Sequence, residues 1–249
     1  MNQSEQRVLV VIPTFNERSN VTELLQRLRH YLPMAELVVI DDSSPDGTAD
    51  VVRRHMESDR GISLISRPKK LGVGSAHKDA LKLAFERNEE ILVTLDADHS
   101  HQPKDVMRLL AALPDHDVVV GSRFMSEGGL KDWTLSRQIL TKLGHLMTKL
   151  VLGIPYDATG ALRAYRVEGV KSHLSVGELN DGYSWFYESL AVLSRRGVRI
   201  TEVPIVLTAR AYGSSKMRLH DVLFGALNMI KFRTVLHTLP LHIERDGER

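Results

Sequence analysis

Short apolar runs and longer amphipathic stretches alternate along this chain. The runs at 7–13 (RVLVVIP), 37–40 (LVVI), 62–65 (ISLI), 91–95 (ILVTL) and 117–120 (DVVV) read as strands. Between them, 20–31 places Val21, Leu24, Leu25 and Leu28 on one helical stripe, and 75–87 does the same with Ala76, Ala80, Leu83 and Ala84. Residues 48–55 and 103–113 also read as helices, the second opening on Pro103. Strands this apolar, separated by helices of this length, predict βαβ units and a mostly parallel sheet covered on both faces.

After Gly121 the pattern loosens. A Gly-Gly loop with a Trp (127–133) leads into a helix at 135–152 that bears Arg137, Lys142 and Lys149. Residues 162–165 read as a short strand, 184–196 as a helix and 198–207 as a strand, followed by a loop at 208–217. Residues 219–239 read as one long amphipathic helix, apolar at Phe224, Leu227, Ile230 and Val235 and polar at Lys231 and Arg233. The expected organisation is a single α/β domain over 1–218, followed by the amphipathic helix and tail at 219–249. Within the domain, a nucleotide-binding half (7–120) and an acceptor half (121–218) share one sheet, with no linker between them.

The chemistry gathers where predicted strands end. The run at 91–95 leads straight into Asp96 and Asp98, with Ala97 between them. Alternate residues of an extended chain point the same way, so both carboxylates can aim at one point. That point lies at the carboxyl end of a parallel strand, where open α/β sheets place their ligands. Two hard oxygen donors beside a diphosphate suit Mg²⁺ or Mn²⁺. The residues alone leave a second reading open: Asp98 caps the next helix, a role Ser100 or His101 could equally fill. Three more loops leave strand ends, at 13–17 (PTFNE), 41–47 (DDSSPDG) and 67–74 (RPKKLGVG). Asp42 suits ribose hydroxyls or base amines, and Asp46 suits a turn. No GxGxxG or GxxxxGK[ST] occurs, which argues against a dinucleotide enzyme and a P-loop NTPase.

Composition narrows the classes. The chain of 249 residues is 43% hydrophobic and 26% charged, an ordinary globular profile. The formal net charge of +2 argues against a dedicated nucleic-acid binder, and 0 cysteines exclude disulfides and thiolate metal sites. From Arg195 onward, ten Lys and Arg face five Asp and Glu, a balance suited to anionic ligands or an anionic membrane surface. The first residues lack a secretory layout, and no apolar run approaches the roughly 20 residues that span a bilayer. The eleven histidines are scattered and read as caps or surface residues. Glu188 reads as a structural carboxylate or, less favoured, as a base for a hydroxyl acceptor.

Taken in order, VVIPTFNE, VVIDDSSPDGT, KLGVGSA, TLDADHSHQP and GSRF…GG…W…SR resemble the motifs of family 2 glycosyltransferases. ATGALRAYR, DGYSWFYE and ARAYGSSKM narrow the resemblance to the dolichyl/polyprenyl-phosphate mannose synthases. The likeness covers about Val8 to Met217. It implies a GT-A (Rossmann-like) fold, with helices on both faces of a mostly parallel sheet. It also implies inverting transfer of mannose from GDP-mannose to a polyprenyl phosphate, with Mg²⁺ or Mn²⁺. By position, Pro13, Phe15, Glu17, Ile40 and Asp42 would line the nucleoside pocket. Asp96, Ala97 and Asp98 would hold metal and diphosphate, with Ser100 beside them as a further metal residue. Arg123, Arg137, Arg210 and Lys216 would gather the donor and acceptor phosphates, and with Asp98 they form the expected catalytic set. Two positions depart from the pattern: Phe15 stands where the family usually has Tyr, and Ala161-Leu162 where it has a small residue and Phe.

A phosphate acceptor makes physical sense of these basic residues. A phosphate monoester is already anionic at neutral pH, so it needs steering and positioning rather than a general base. The resemblance also implies peripheral attachment to the cytoplasmic face of a membrane, with or without a separate anchoring subunit, and no nucleic-acid partner. The rivals are a relative using UDP-glucose or a hydroxyl acceptor, and a sugar-nucleotide-binding subunit without activity.

Overall fold

Seven strands form one sheet in the computed structural model, which describes residues 7–125, 129–208 and 219–239; their order across the sheet is Ile62–Ser66, Glu36–Asp41, Val8–Thr14, Ile91–Thr94, Arg163–Arg166, Val118–Ser122 and Ile200–Pro204. The first half winds as expected: β1 (Val8–Thr14), α1 (Arg18–Tyr31), β2 (Glu36–Asp41), α2 (Thr48–Ser58) and β3 (Ile62–Ser66). It continues through α3 (Val73–Glu86), β4 (Ile91–Thr94), α4 (Pro103–Ala112) and β5 (Val118–Ser122). All pairings within β3-β2-β1-β4 are parallel.

Apolar alternation along the strands feeds two cores. Leu9, Val11, Val38, Ile40, Val118 and Val120 face one side, under α3. Val10, Ile12, Leu37, Val39 and Val119 face the other, under α1, α2 and α4. A sheet buried on both faces needs strands without a polar side, and that is what the apolar runs supply.

The second half does not extend the sheet outward. It consists of β6 (Leu130–Lys131), α5 (Leu135–Leu152), β7 (Arg163–Arg166), α6 (Val167–Lys171), α7 (Ser184–Arg195), β8 (Ile200–Pro204), β9 (Leu207–Thr208) and α8 (Leu219–Thr238). Strand β7 inserts between β4 and β5 and runs antiparallel to both, with Arg163 opposite Thr94 on one side and Val120 on the other. The two halves are therefore interleaved in one sheet. The predicted strand over 198–207 is in fact two. The chain leaves the main sheet after Pro204, and Leu207 donates its N–H to the Gly129 carbonyl at 2.8 Å, joining β9 to β6.

Helix α8 also departs from expectation. Met229 and Leu236 are buried against the core, with Phe232 packed beside them, while Leu227, Ile230 and Val235 point outward. The helix is apolar on two faces, and packing selected the one that periodicity had not singled out.

Candidate active site

The aspartate loop follows β4 directly, and its backbone is held by its own side chains. Asp98 is 4% exposed, and its Oδ1 accepts the Ser100 N–H at 3.1 Å and the Ser100 hydroxyl at 2.5 Å. The Ser100 hydroxyl is thus donated to Asp98 and shapes the turn. The Asp96 side chain keeps 36% exposure, and its backbone N–H donates to His101 Nδ1 at 3.1 Å. A ring nitrogen that accepts is unprotonated, so His101 is neutral, with its proton on Nε2. Burial drives its pKa down to about 4. His77, His99 and His101 are all buried, which corrects the reading of the histidines as caps or surface residues. Among the described residues, no group of three or more His, Asp and Glu converges to hold a metal. Asp96 and Asp98 are a two-carboxylate oxygen set, which fits a cation whose remaining positions are filled by phosphate and water.

At the end of β2, two adjacent acids divide the work. Asp41 accepts the Thr14 hydroxyl at 2.9 Å and the Ser44 hydroxyl at 2.6 Å, tying the β1 loop to the β2 loop. Asp42 pairs with Arg67 at 2.5 Å and accepts the backbone N–H groups of Leu71 and Gly72, so it orders loop 67–72. Arg67 reaches Ser75 and Asp79 as well. Asp46 accepts N–H and hydroxyl from Thr48, the turn role expected of it. Pro13 and Phe15 are half-buried at the mouth, and Lys70 lies 4.0 Å over the Phe15 ring. Glu17 is buried and accepts the Asn20 amide at 2.6 Å. Ala97 is 3% exposed. The Ile40 side chain does not reach the surface at the strand ends: it is fully buried beneath α3 and supports the β2 loop from below.

Arg123, at the end of β5, has the most fixed geometry in the site. Its Nε and Nη2 grip the two oxygens of Asp157 at 2.7 and 2.6 Å, and Nη2 also reaches the Thr159 hydroxyl at 2.5 Å. Asp157 is 0% exposed. Burial alone would raise its carboxyl, but the Arg123 charge outweighs that and holds it below the ordinary carboxylate range. Burial likewise works against the Arg123 charge, yet Asp157, with help from Asp96, pushes its pKa up. Arg123 is therefore always charged and within electrostatic reach of Asp96. Its Nη1 edge makes no hydrogen bond among the described residues.

The loop that carries Asp157 and Thr159 is itself pinned. Arg163, 0% exposed at the start of β7, donates to the carbonyls of Ala158, Gly160 and Phe186 and to the Ser189 hydroxyl. All of these partners are neutral. Sequence reasoning missed Asp157, Thr159 and Arg163, although they sit in or beside the ATGALRAYR motif. The missing signal was the partner: Asp157 has no local reason to be buried until Arg123 arrives.

Arg137, in the first turn of α5, stacks 3.9 Å over Trp133. Arg210 and Lys216 lie outside the described residues, as does Gly128 of the Gly-Gly loop. Thr208 donates its hydroxyl to the His99 carbonyl and its N–H to the Ser100 carbonyl, so β9 is tied to the aspartate loop. Glu188 is buried and accepts the Asn180 N–H at 2.8 Å, the structural role rather than that of a base.

An open, doubly covered α/β sheet with its aspartate pair at the strand ends defines a glycosyltransferase of the GT-A type. The sequence profile of Glycosyl transferase family 2 matches residues 9–174, and the chain belongs to that family. It is 36% identical over 212 residues to the undecaprenyl-phosphate mannosyltransferase of Micrococcus luteus, covering 85% of this chain and 87% of that one. It is 35% identical over 216 residues to the polyprenol monophosphomannose synthase of Mycolicibacterium smegmatis, covering 85% and 81%. The fold resembles glucosyl-3-phosphoglycerate synthase from Mycobacterium tuberculosis, solved with Mn²⁺, UDP and phosphoglyceric acid. That match has a TM-score of 0.68 and 19% identity, over 96% of this chain and 81% of that one. Mannosyl-3-phosphoglycerate synthase from Rubrobacter xylanophilus matches with a TM-score of 0.66 at 18% identity, over 99% and 80%.

Proposed function

We propose that the protein transfers mannose from GDP-mannose to a polyprenyl phosphate, with inversion at the sugar, while attached peripherally to the cytoplasmic face of a membrane. The observation that carries this reading is the Arg123 guanidinium, buried, locked to Asp157 and held within electrostatic reach of Asp96. A permanent cation beside a metal-type carboxylate suits a reaction in which two anions, a leaving diphosphate and an incoming phosphate, must share one site. The names of the two relatives, an undecaprenyl-phosphate mannosyltransferase and a polyprenol monophosphomannose synthase, support the sugar and the acceptor.

Asp96 and Asp98 would hold Mg²⁺ or Mn²⁺, which as a Lewis acid stabilises the leaving diphosphate. The Mn²⁺ in the mycobacterial structure supports that assignment. Asp157 occupies one edge of Arg123, so the guanidinium is not free to turn, and its Nη1 edge serves a phosphate oxygen. The Asp42–Arg67 pair holds loop 67–72 against the β2 loop, where the guanosine would sit beside Phe15 and Lys70. Arg210 and Lys216 take the acceptor phosphate, the role their sequence context implies. An anionic oxygen needs no proton removed, so no base is assigned.

The test is radiolabelled transfer from GDP-mannose to a short polyprenyl phosphate, with Mg²⁺ and with EDTA, and with UDP-glucose alongside. Product that requires metal and GDP-mannose is expected. Donor binding without transfer would remove the lipid-phosphate acceptor, and preference for UDP-glucose would remove the donor.

A further inference from the structure

Helix α5 is unusual among the helices of this protein in burying so little. Thr148 is its one buried residue, and Met147, Val151 and Leu152 pack partly against the core. On the other side Leu135, Ile139, Leu143, Leu146 and Leu150 stand at 73%, 58%, 51%, 47% and 67% exposure. Their spacing of four, four, three and four residues places all five on one face, a continuous ridge about 22 Å long. Helix α8 packs against α5 and carries Leu227, Ile230 and Val235, each more than half exposed. Isolated exposed leucines need no explanation, but a contiguous ridge of this extent on a single surface marks a contact.

The charges around the ridge point to the occupant. Lys142 and Lys149 are exposed, and each immediately precedes a ridge leucine. Lys231 and Arg233 are exposed on α8. Helix α5 contains no Asp or Glu. Long basic side chains beside an apolar stripe lay their stems along it and lift their charges to headgroup level, which matches an anionic bilayer surface. The ridge also adjoins the site. Phe124, the residue after Arg123, stacks on His145 of α5 at 4.1 Å.

We infer that the α5 ridge, extended by α8, is the surface on which this protein lies on an anionic lipid bilayer, with the Arg123 site held beside it. This deepens the proposed function by naming the face that meets the membrane, and it rests on that reading only for the identity of the acceptor. No helix among the described residues is long and apolar enough to cross a membrane, so this contact is interfacial.

The natural chain has 0 cysteines, so single Cys variants carry an unambiguous label. Leu143→Cys, Leu150→Cys and Ile230→Cys would be labelled with an environment-sensitive fluorophore, with Glu57→Cys on α2 as the control. They are mixed with phosphatidylcholine vesicles with and without phosphatidylglycerol, in the absence of donor and acceptor. The ridge labels are expected to brighten and shift to the blue on anionic vesicles while the α2 label stays unchanged. Leu143→Glu/Leu150→Glu is expected to weaken vesicle co-sedimentation by about tenfold or more. Lys142→Gln/Lys149→Gln should weaken it and flatten its salt dependence.

Ridge labels that ignore vesicles overturn the inference. So do labels that respond to protein concentration alone, with the Glu variant converting a dimer to a monomer, because the ridge would then bind a second copy. Transfer to a water-soluble, short-chain polyprenyl phosphate separates the two readings. The Glu variant should keep wild-type turnover there, whereas failure of the wild type in that assay would fail the proposed function and leave the vesicle result standing.

Discussion

At the scale of single residues, the site combines groups that were legible with groups that were not. Asp96 and Asp98 could be read because the apolar run before them is local and the alternation of an extended chain is geometric. Asp157 could not, because its reason for burial is Arg123, 34 residues earlier in the chain. Breaking a buried ion pair strands a charge, which destabilises by about 3–5 kcal/mol. Asp157→Ala is therefore expected to lower the urea-unfolding free energy by about that amount. Mannosyl transfer should fall on the order of a hundredfold, since the guanidinium loses its fixed orientation. Unchanged turnover in a folded Asp157→Ala protein would remove Arg123 from the chemistry. The histidines show the converse error: a scattered residue type suggests surface, yet His101 is buried because its ring closes the aspartate loop from within.

Among elements, the decisive contacts are backbone approaches that a side chain would prevent. A Cβ on Gly129 would lie 2.0 Å from the Arg123 carbonyl oxygen, so the strand that begins at Leu130 is pressed directly onto the end of β5. Gly129→Ala must push β6 away from Arg123. Transfer activity is expected to fall while far-ultraviolet circular dichroism stays native, since β6 contributes little to the core; an active variant would show that β6 does not position Arg123. Helix α8 illustrates why periodicity alone chose the wrong face. Like α5, it is apolar on more than one side, so the stripe that docks is decided by the neighbours it meets: α8 packs against α5 and α7, and Met229 and Leu236 join the buried core.

For the molecule as a whole, the buried titratable groups set how stability responds to acid. His77 lies under the sheet with its ring 4.9 Å from Phe186, and burial, aided by the Arg163 charge, lowers its pKa from 6.5 to about 3. Between those values the unfolded chain holds a proton that the native chain does not, so stability falls as pH drops below about 6.5. From about pH 7 to about pH 5 this single group removes roughly 2 kcal/mol. His77→Gln is expected to shrink the difference between urea-unfolding free energies at those two pH values by that amount, and an unchanged difference would mean that His77 does not stay neutral.

The sequence by itself determined the elements of the first half, the two-sided burial of the sheet, the four loops at strand ends and the aspartate pair. Each of these follows from neighbours within a few positions: apolar alternation, helical spacing, turn residues. The tertiary structure alone decided that β7 enters antiparallel between β4 and β5, that Arg123 finds Asp157, that Ile40 is buried beneath α3, and that α5 leaves a row of leucines and Ile139 facing outward. Those outcomes depend on which distant segments meet, and local propensity carries no record of a partner brought in from the other half of the chain.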